Sequence, residues 1–279
     1  MPPALRRAAF LVATLFATPV LAQDRSADAG GDFVMAGAAG VVLPQYEGSG
    51  DTSITPAPGA IGRVSGFAFQ FIGNRLSVDL VRDSGGPGWD IQAGPSLVLD
   101  FNRTSADSID DPRVAALPER NTGIELGGYV GVARVGVVTS DYDRLSVTLS
   151  YRYDVNGAHE SGILSPSVSY MTPLSRKAAV AVFASAERVA NGYADAYFSV
   201  TPADAAASGL PAYDADGGWK NWGIGAGTAV SLTGDLTGGL QLVAGGMYRR
   251  LVNDFADSPV TRAGSRDQWM GAIGLAYSF

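Results

Sequence analysis

From Trp89 the chain alternates. Trp89, Ile91, Ala93, Pro95, Leu97, Leu99 and Phe101 fall on one face of an extended backbone, and Asp90, Gln92, Gly94, Ser96, Val98, Asp100 and Asn102 on the other. Successive side chains of a strand point to opposite sides, so this segment has one oily and one mostly wet face. Leu145, Val147, Leu149, Tyr151 and Tyr153 repeat the pattern against Ser146, Thr148, Ser150, Arg152 and Asp154. It returns at Leu164–Tyr170 and around Phe67–Phe71, and in the final stretch Trp269, Ile273, Leu275, Tyr277 and Phe279 alternate with small or polar residues. The pattern predicts twelve strands, near 32–43, 53–62, 65–72, 75–82, 88–102, 121–138, 144–155, 161–173, 177–188, 219–232, 235–251 and 267–279.

The connections sort themselves by length. If the strands run up and down, the long polar links 44–52, 103–120, 189–218 and 252–266 all lie on one side. The opposite side has GRV, RDSGG, TSDYD, PLSRK and TGD. Bacterial outer-membrane barrels have short periplasmic turns, longer external loops and an even strand number. Many segments run eleven residues or more, longer than the roughly 5–6 of an ordinary soluble strand and near the length that crosses a bilayer at a tilt. Aromatic residues gather near segment ends, as interfacial girdles require. The fold expected is therefore all-β, a closed antiparallel transmembrane barrel with both termini on the short-turn side. The closing strand must pair with the first, because lipid offers no water to unpaired backbone groups.

One strand is not clean. In 121–138, Arg134 shares parity with the outward-facing Ile124, Leu126, Val130 and Val132. Either it lies near the short-turn end, where an outward arginine costs about 0–1 kcal/mol instead of about 2–4, or a bulge shifts the register.

The N-terminus adds a destination. Residues 1–22, with Arg6 and Arg7 before a short apolar run, Pro19 and a small-residue ending, have the pattern of a secretory signal cleaved between Ala22 and Gln23. A short periplasmic segment, 23–31, then precedes the barrel, 32–279. The 257 residues left carry a net charge of −9, against −7 for the whole chain, because the leader holds two arginines and no acid. That balance excludes nucleic acid as a partner, which needs a basic face. With no cysteine, there is neither disulfide nor thiol chemistry.

Candidate chemistry is sparse. His159 is the only histidine, in a predicted external loop beside Glu160 and Ser161. Consecutive residues do not make a triad, and a zinc site usually combines several His or Cys ligands. Asp214 and Asp216 in AYDADGG hint at calcium, but the closing acid of an EF-hand is missing, since residue 225 is glycine. No catalytic, cofactor-binding or metal residue is therefore assigned, and no cofactor is expected. Alternation directs Asp90, Gln92, Asp100, Glu125, Arg152, Asp154, Glu187, Gln241 and Arg249 to the lumen, as the lining of a selective pore or as a packed polar interior.

Three stretches together resemble the MltA-interacting protein (MipA/OmpV) family. They are the Pro-x-Tyr-Glu-Gly-Ser element in GVVLPQYEGSGDTSITPAPG (40–59), the run AAASGLPAY (205–213) within 193–225, and DSPVTRAGSRDQWMGAIGLAYSF (257–279). The similarity covers nearly all of the chain after the leader and departs most in 103–120. It implies a barrel in the outer membrane of a Gram-negative bacterium, among lipid and lipopolysaccharide. It also implies a scaffold role, holding a murein lytic transglycosylase and a bifunctional penicillin-binding protein; other members are linked to envelope stress and adhesion. No catalytic residue comes with it. Tyr277 and Phe279 resemble the terminal signal read by the barrel-assembly machinery. A small-solute channel and an adhesin acting through loop 189–218 are the competing expectations.

The alternation makes a direct prediction. The chain without its leader should reach a β-rich circular dichroism spectrum only with detergent or lipid, and a soluble monomer in buffer alone would refute the barrel.

Overall fold

The computed structural model describes residues 32–82 and 88–279. The expected leader, its Ala22–Gln23 cleavage point and segment 23–31 lie outside them. Twelve strands close into one antiparallel barrel in sequence order. They are β1 (Phe33–Pro44), β2 (Thr52–Val64), β3 (Phe67–Ile72), β4 (Arg75–Val78), β5 (Gly88–Asp100), β6 (Gly123–Val135), β7 (Arg144–Asp154), β8 (Gly162–Ser175), β9 (Ala178–Val189), β10 (Gly218–Ser231), β11 (Gly239–Leu251) and β12 (Asp267–Ser278). The predicted segments match in number and order. The largest differences are β4, which ends at Val78, and β11, which begins at Gly239. Most of the RDSGG turn lies outside the described residues.

Closure runs from Met35 opposite Ser278 to Val42 opposite Gly271, and the Phe279 N–H donates to Val34 O at 2.9 Å. On β12 the two faces separate by exposure. Trp269 is 69% and Ile273 61% exposed, whereas inward Met270 and Ala276 are 5% and 7%. Trp222, Tyr248 and Trp269 stack outside, with centroids 5.6 and 4.9 Å apart. Tyr277 and Phe279 stack toward the other end, at 4.9 Å. Trp269 and Tyr277 are separated by about 26 Å of strand at about 3.3 Å a residue, or about 20 Å along the axis at a tilt of about 40°. With the girdles themselves, that matches an apolar band about 25 Å tall.

Arg134 lies at the turn end of β6, opposite Trp89 in an unbroken register, and its guanidinium sits 5.2 Å from the Trp89 ring centroid. No bulge is needed. The cation rests on an interfacial aromatic, where its cost is small.

The wall has one short section. β3 pairs with β2 only over Gly59–Val64, and the Gly73 N–H reaches Pro58 O at 2.9 Å. Beyond Pro58 the β2 edge meets no strand among the described residues. Pro58 O points to that edge, so by strand parity Pro56 does too. Neither proline has an N–H to leave unpaired there.

The two rims differ as expected. At the turn rim, 136–143 is organised by Asp143, whose carboxylate accepts from the N–H groups of Val137, Val138 and Thr139 at 2.5, 2.8 and 2.6 Å and from Tyr170 OH at 2.7 Å. Burial by itself would raise this carboxyl, but those donors outweigh it and hold it well below the ordinary range. A carboxylate depressed in the fold adds stability above its unfolded value, about 3.9, and loses it as pH falls through the folded one. Asp143→Ala is therefore expected to cost about 2–4 kcal/mol at neutral pH, from several charge-assisted bonds at about 1.5–3 kcal/mol each. Urea unfolding in detergent should show that difference shrinking as pH drops below about 4.

Candidate functional site: a capped lumen crossed by charge

The loop rim folds into a lid with its own core. In the β9–β10 connection, α2 (Asn191–Tyr197) and α3 (Pro202–Ser208) follow each other. Local sequence explains α3. Thr201 and Asp204 form a capping box, Pro202 occupies the first turn, and Gly209 leaves the helix at φ 74°. Tyr193, Tyr197, Phe198 and Phe255 pack with Ile163, Val189 and Leu251 at the strand ends. Tyr46, Ile109, Val114, Leu117, Val200, Leu210 and Val260 join four loops above them. Arg103 ties two of these loops, donating to Tyr197 O at 3.2 Å and Pro118 O at 3.1 Å. The inward fold of 189–218 covers the lumen's mouth.

Beneath the lid, ion pairs run along the lumen side of β6 to β11. Arg152 on β7 pairs through Nε with Glu125 on β6, through Nη2 with Glu187 on β9 at 2.7 Å, and donates to Ser165 Oγ at 2.9 Å. Lys220 on β10 lies 3.0 Å from Glu187 and 2.8 Å from Glu47, which reaches in from the β1–β2 loop. Arg249 on β11 approaches Glu47 at 3.5 Å. Tyr193 donates to Glu47 at 2.7 Å; burial, with Glu47 and Asp100 nearby, raises its hydroxyl well above the ordinary phenol range and keeps it a donor. A register shift between Trp219 and Asn221 leaves both Lys220 and Asn221 facing inward, and Asn221 donates to Glu187 at 3.0 Å.

The nine residues directed to the lumen by alternation occupy different places. Glu125, Arg152, Glu187 and Arg249 meet in this network, with Asp100 beside it. Asp90 pairs with Arg144 nearer the turn rim, and Gln92 accepts from Ser146 at 3.0 Å. Gln241 is buried and donates to Leu236 O and Ser278 Oγ at 3.0 and 2.8 Å. Asp154 binds the loop above it, accepting from the N–H groups of His159 and Glu160 at 2.7 and 2.9 Å. Sequence reading missed Glu47, Lys220, Asn221 and Tyr193. Two come from loops and Lys220 depends on the bulge, whereas Asn221 has the inward parity of the strand from Trp222 onward. Arg75 was legible, because it lies at opposite parity to the apolar Leu76 and Val78.

His159 is buried, not solvated. Its Nδ1 lies 2.9 Å from Ser161 Oγ and its Nε2 3.3 Å from Glu125 Oε1, a relay the sequence could not assemble because Glu125 is 34 residues away. Ser161 is 5% exposed and Gly192 packs over it so closely that a Cβ there would meet His159 O at 2.4 Å. No nucleophile is presented. Asp100, Glu125 and His159 could offer three ligand atoms within 4.8 Å of one another, but Arg152 already supplies positive charge to Glu125.

A family model described as MltA-interacting protein MipA matches residues 36–279. No curated protein matches the chain. Among solved structures, the OmpT outer-membrane protein of Vibrio cholerae is similar at 11% identity and TM-score 0.39, covering 93% of this chain and 100% of that one. An anion-selective porin from Comamonas acidovorans reaches 10% and 0.37, covering 89% of this chain and 99% of that one. The CymD monoaromatic hydrocarbon channel gives 11% and 0.37, covering 88% of each chain.

The network carries a stability prediction. Arg152→Met leaves Glu125 and Glu187 facing each other without their shared cation, and removing one partner of a buried pair costs about 3–5 kcal/mol. Urea unfolding of the detergent-folded barrel should show a loss of that size.

Proposed function

The chain belongs to the MltA-interacting protein MipA family, and on that premise we propose a non-enzymatic outer-membrane barrel of a Gram-negative bacterium that docks a murein lytic transglycosylase at its turn rim. The observation that carries this reading is the charged network inside the barrel beneath the loops. Ion pairs join β6 to β7, β7 to β9 and β9 to β10, and Arg249 on β11 to Glu47 of the first loop, while the loops above share cores of their own. Outer surfaces are then the ones left for work. This favours a scaffold over a diffusion channel.

The turn rim has the character of a docking surface. Val138, Tyr142, Leu174 and Leu232 are exposed there. Bonds between neighbouring turns stiffen it: Thr139 Oγ1 to Thr172 Oγ1 at 2.7 Å, and Arg176 to Asp235 at 3.0 Å. Turns held in place in this way lower the ordering cost of association. A penicillin-binding protein would join through the same complex, and Tyr277 and Phe279 would serve the barrel-assembly machinery.

The test is capture from detergent-solubilised envelopes. Tagged wild-type barrel should retain lytic transglycosylase activity, and Val138→Asp with Tyr142→Ser should lose it while the barrel still folds. Wild-type barrel that retains no such activity removes the reading.

A further inference from the structure

Just below the lid, between β4, β5 and the ionic network, lies a cavity of about 80 Å³. Its lining is unusual in what it leaves undone. Of eleven buried side-chain polar atoms without a partner among the described residues, six line this one cavity: Tyr46 OH, Asn74 Oδ1, Arg75 Nε, Asp100 Oδ2, Asn102 Nδ2 and Arg249 Nε. Unpaired buried polar atoms are costly, so their concentration here marks a place for something that both donates and accepts.

Charge narrows the class. The lining holds four cations, Arg75, Arg152, Lys220 and Arg249, and four acids, Glu47, Asp100, Glu125 and Glu187. A ligand with net charge would be buried without compensation. The ion pairs also consume these groups unevenly. Arg152, Lys220 and Arg249 are paired with Glu47, Glu125 and Glu187. Arg75 makes no ion pair with a described residue. Asp100 makes no ion pair with a lysine or arginine; its Oδ1 accepts the Asn102 N–H at 2.9 Å, and the Tyr197 hydroxyl lies beside its carboxylate. One cation and one acid remain.

The two stand close without an ion pair between them, Arg75 Nε and Asp100 Oδ2 each lacking a partner. Arg75 stands opposite Val98 on β5, and Asp100 is two residues further along the same inward face. Diagonal neighbours of this kind have Cα atoms roughly 7–8 Å apart. The geometry points to a binding site for a small zwitterion of the amino-acid class, with its carboxylate at Arg75 and Arg249 and its ammonium at Asp100. Arg75 Nε and Arg249 Nε supply donors for the carboxylate, and Asp100 Oδ2 with Asn74 Oδ1 supplies acceptors for the ammonium. Val98 and Met270 in the lining give a small side chain an apolar wall. At about 80 Å³ the cavity exceeds the roughly 30 Å³ share of one water. This site is independent of the turn rim and of any partner docked there.

The experiment is calorimetric titration of the full detergent-folded barrel with alanine, acetate and ethylammonium as separate probes. Alanine should bind at least about tenfold more tightly than either single-charge probe, as loss of one charged contact implies. Arg75→Gln and Asp100→Asn should each weaken alanine by about tenfold or more, while Gln92→Ala, nearer the turn rim, should leave it unchanged. Acetate binding as well as alanine, or equal alanine binding by Asp100→Asn, overturns the assignment, and so does the absence of alanine binding, which leaves a cavity for water only. The comparison of probes on wild type decides the matter even if Arg75→Gln does not fold.

Discussion

Every feature of this molecule answers to the backbone's need for hydrogen-bond partners where water is absent. An unpaired peptide group in hydrocarbon costs several kcal/mol, so a sheet there must close on itself, as β1 and β12 do. Closure then imposes the parity that puts Trp269 and Ile273 outside and Met270 and Ala276 inside. The short β3–β4 hairpin leaves part of the β2 edge without a strand. Proline at positions 56 and 58 reduces the number of donors that gap would orphan. The exception obeys the same rule.

The interior meets a second demand, since twelve strands enclose more space than an eight-stranded barrel fills with side chains. Toward the turn rim Met35, Ile61, Ala179, Ala229, Leu236 and Ala276 form a buried apolar cluster. Toward the loop rim it is spanned by long charged side chains anchored on facing strands, with Tyr193 and Glu47 brought in by loops. Buried ion pairs add little net stability compared with apolar packing, yet breaking one is expensive. Such a network therefore specifies which strands and loops face each other. The lid depends on it: Lys220 holds Glu47 of the first loop and the Tyr193 hydroxyl of α2 at 2.8 and 3.0 Å.

The barrel itself was legible from the chain. Period-2 alternation, a parity rule on loop lengths and end-placed aromatics need no knowledge of contacts, because each is a local consequence of one wet and one oily face. Strand number, order and closure followed. The helix at 202–208 carries local signals of its own, a capping box and a terminal glycine, inside what alternation marked only as a long polar link. The two open readings of Arg134 were separated only by seeing Trp89 beneath it.

What tertiary structure alone decided is which inward groups meet. Alternation says that Glu125, Arg152 and Glu187 point to the lumen; it does not say that one guanidinium spans both acids. It gave no sign that His159 would leave its loop for a buried place beside Glu125, or that 189–218 would fold over the mouth. A bulge at Trp219–Asn221 breaks the very periodicity that sequence reading relies on. The physical reason is range: facing is fixed by neighbours one and two residues away, whereas pairing across a lumen is fixed by ring closure, tilt and loops distant along the chain.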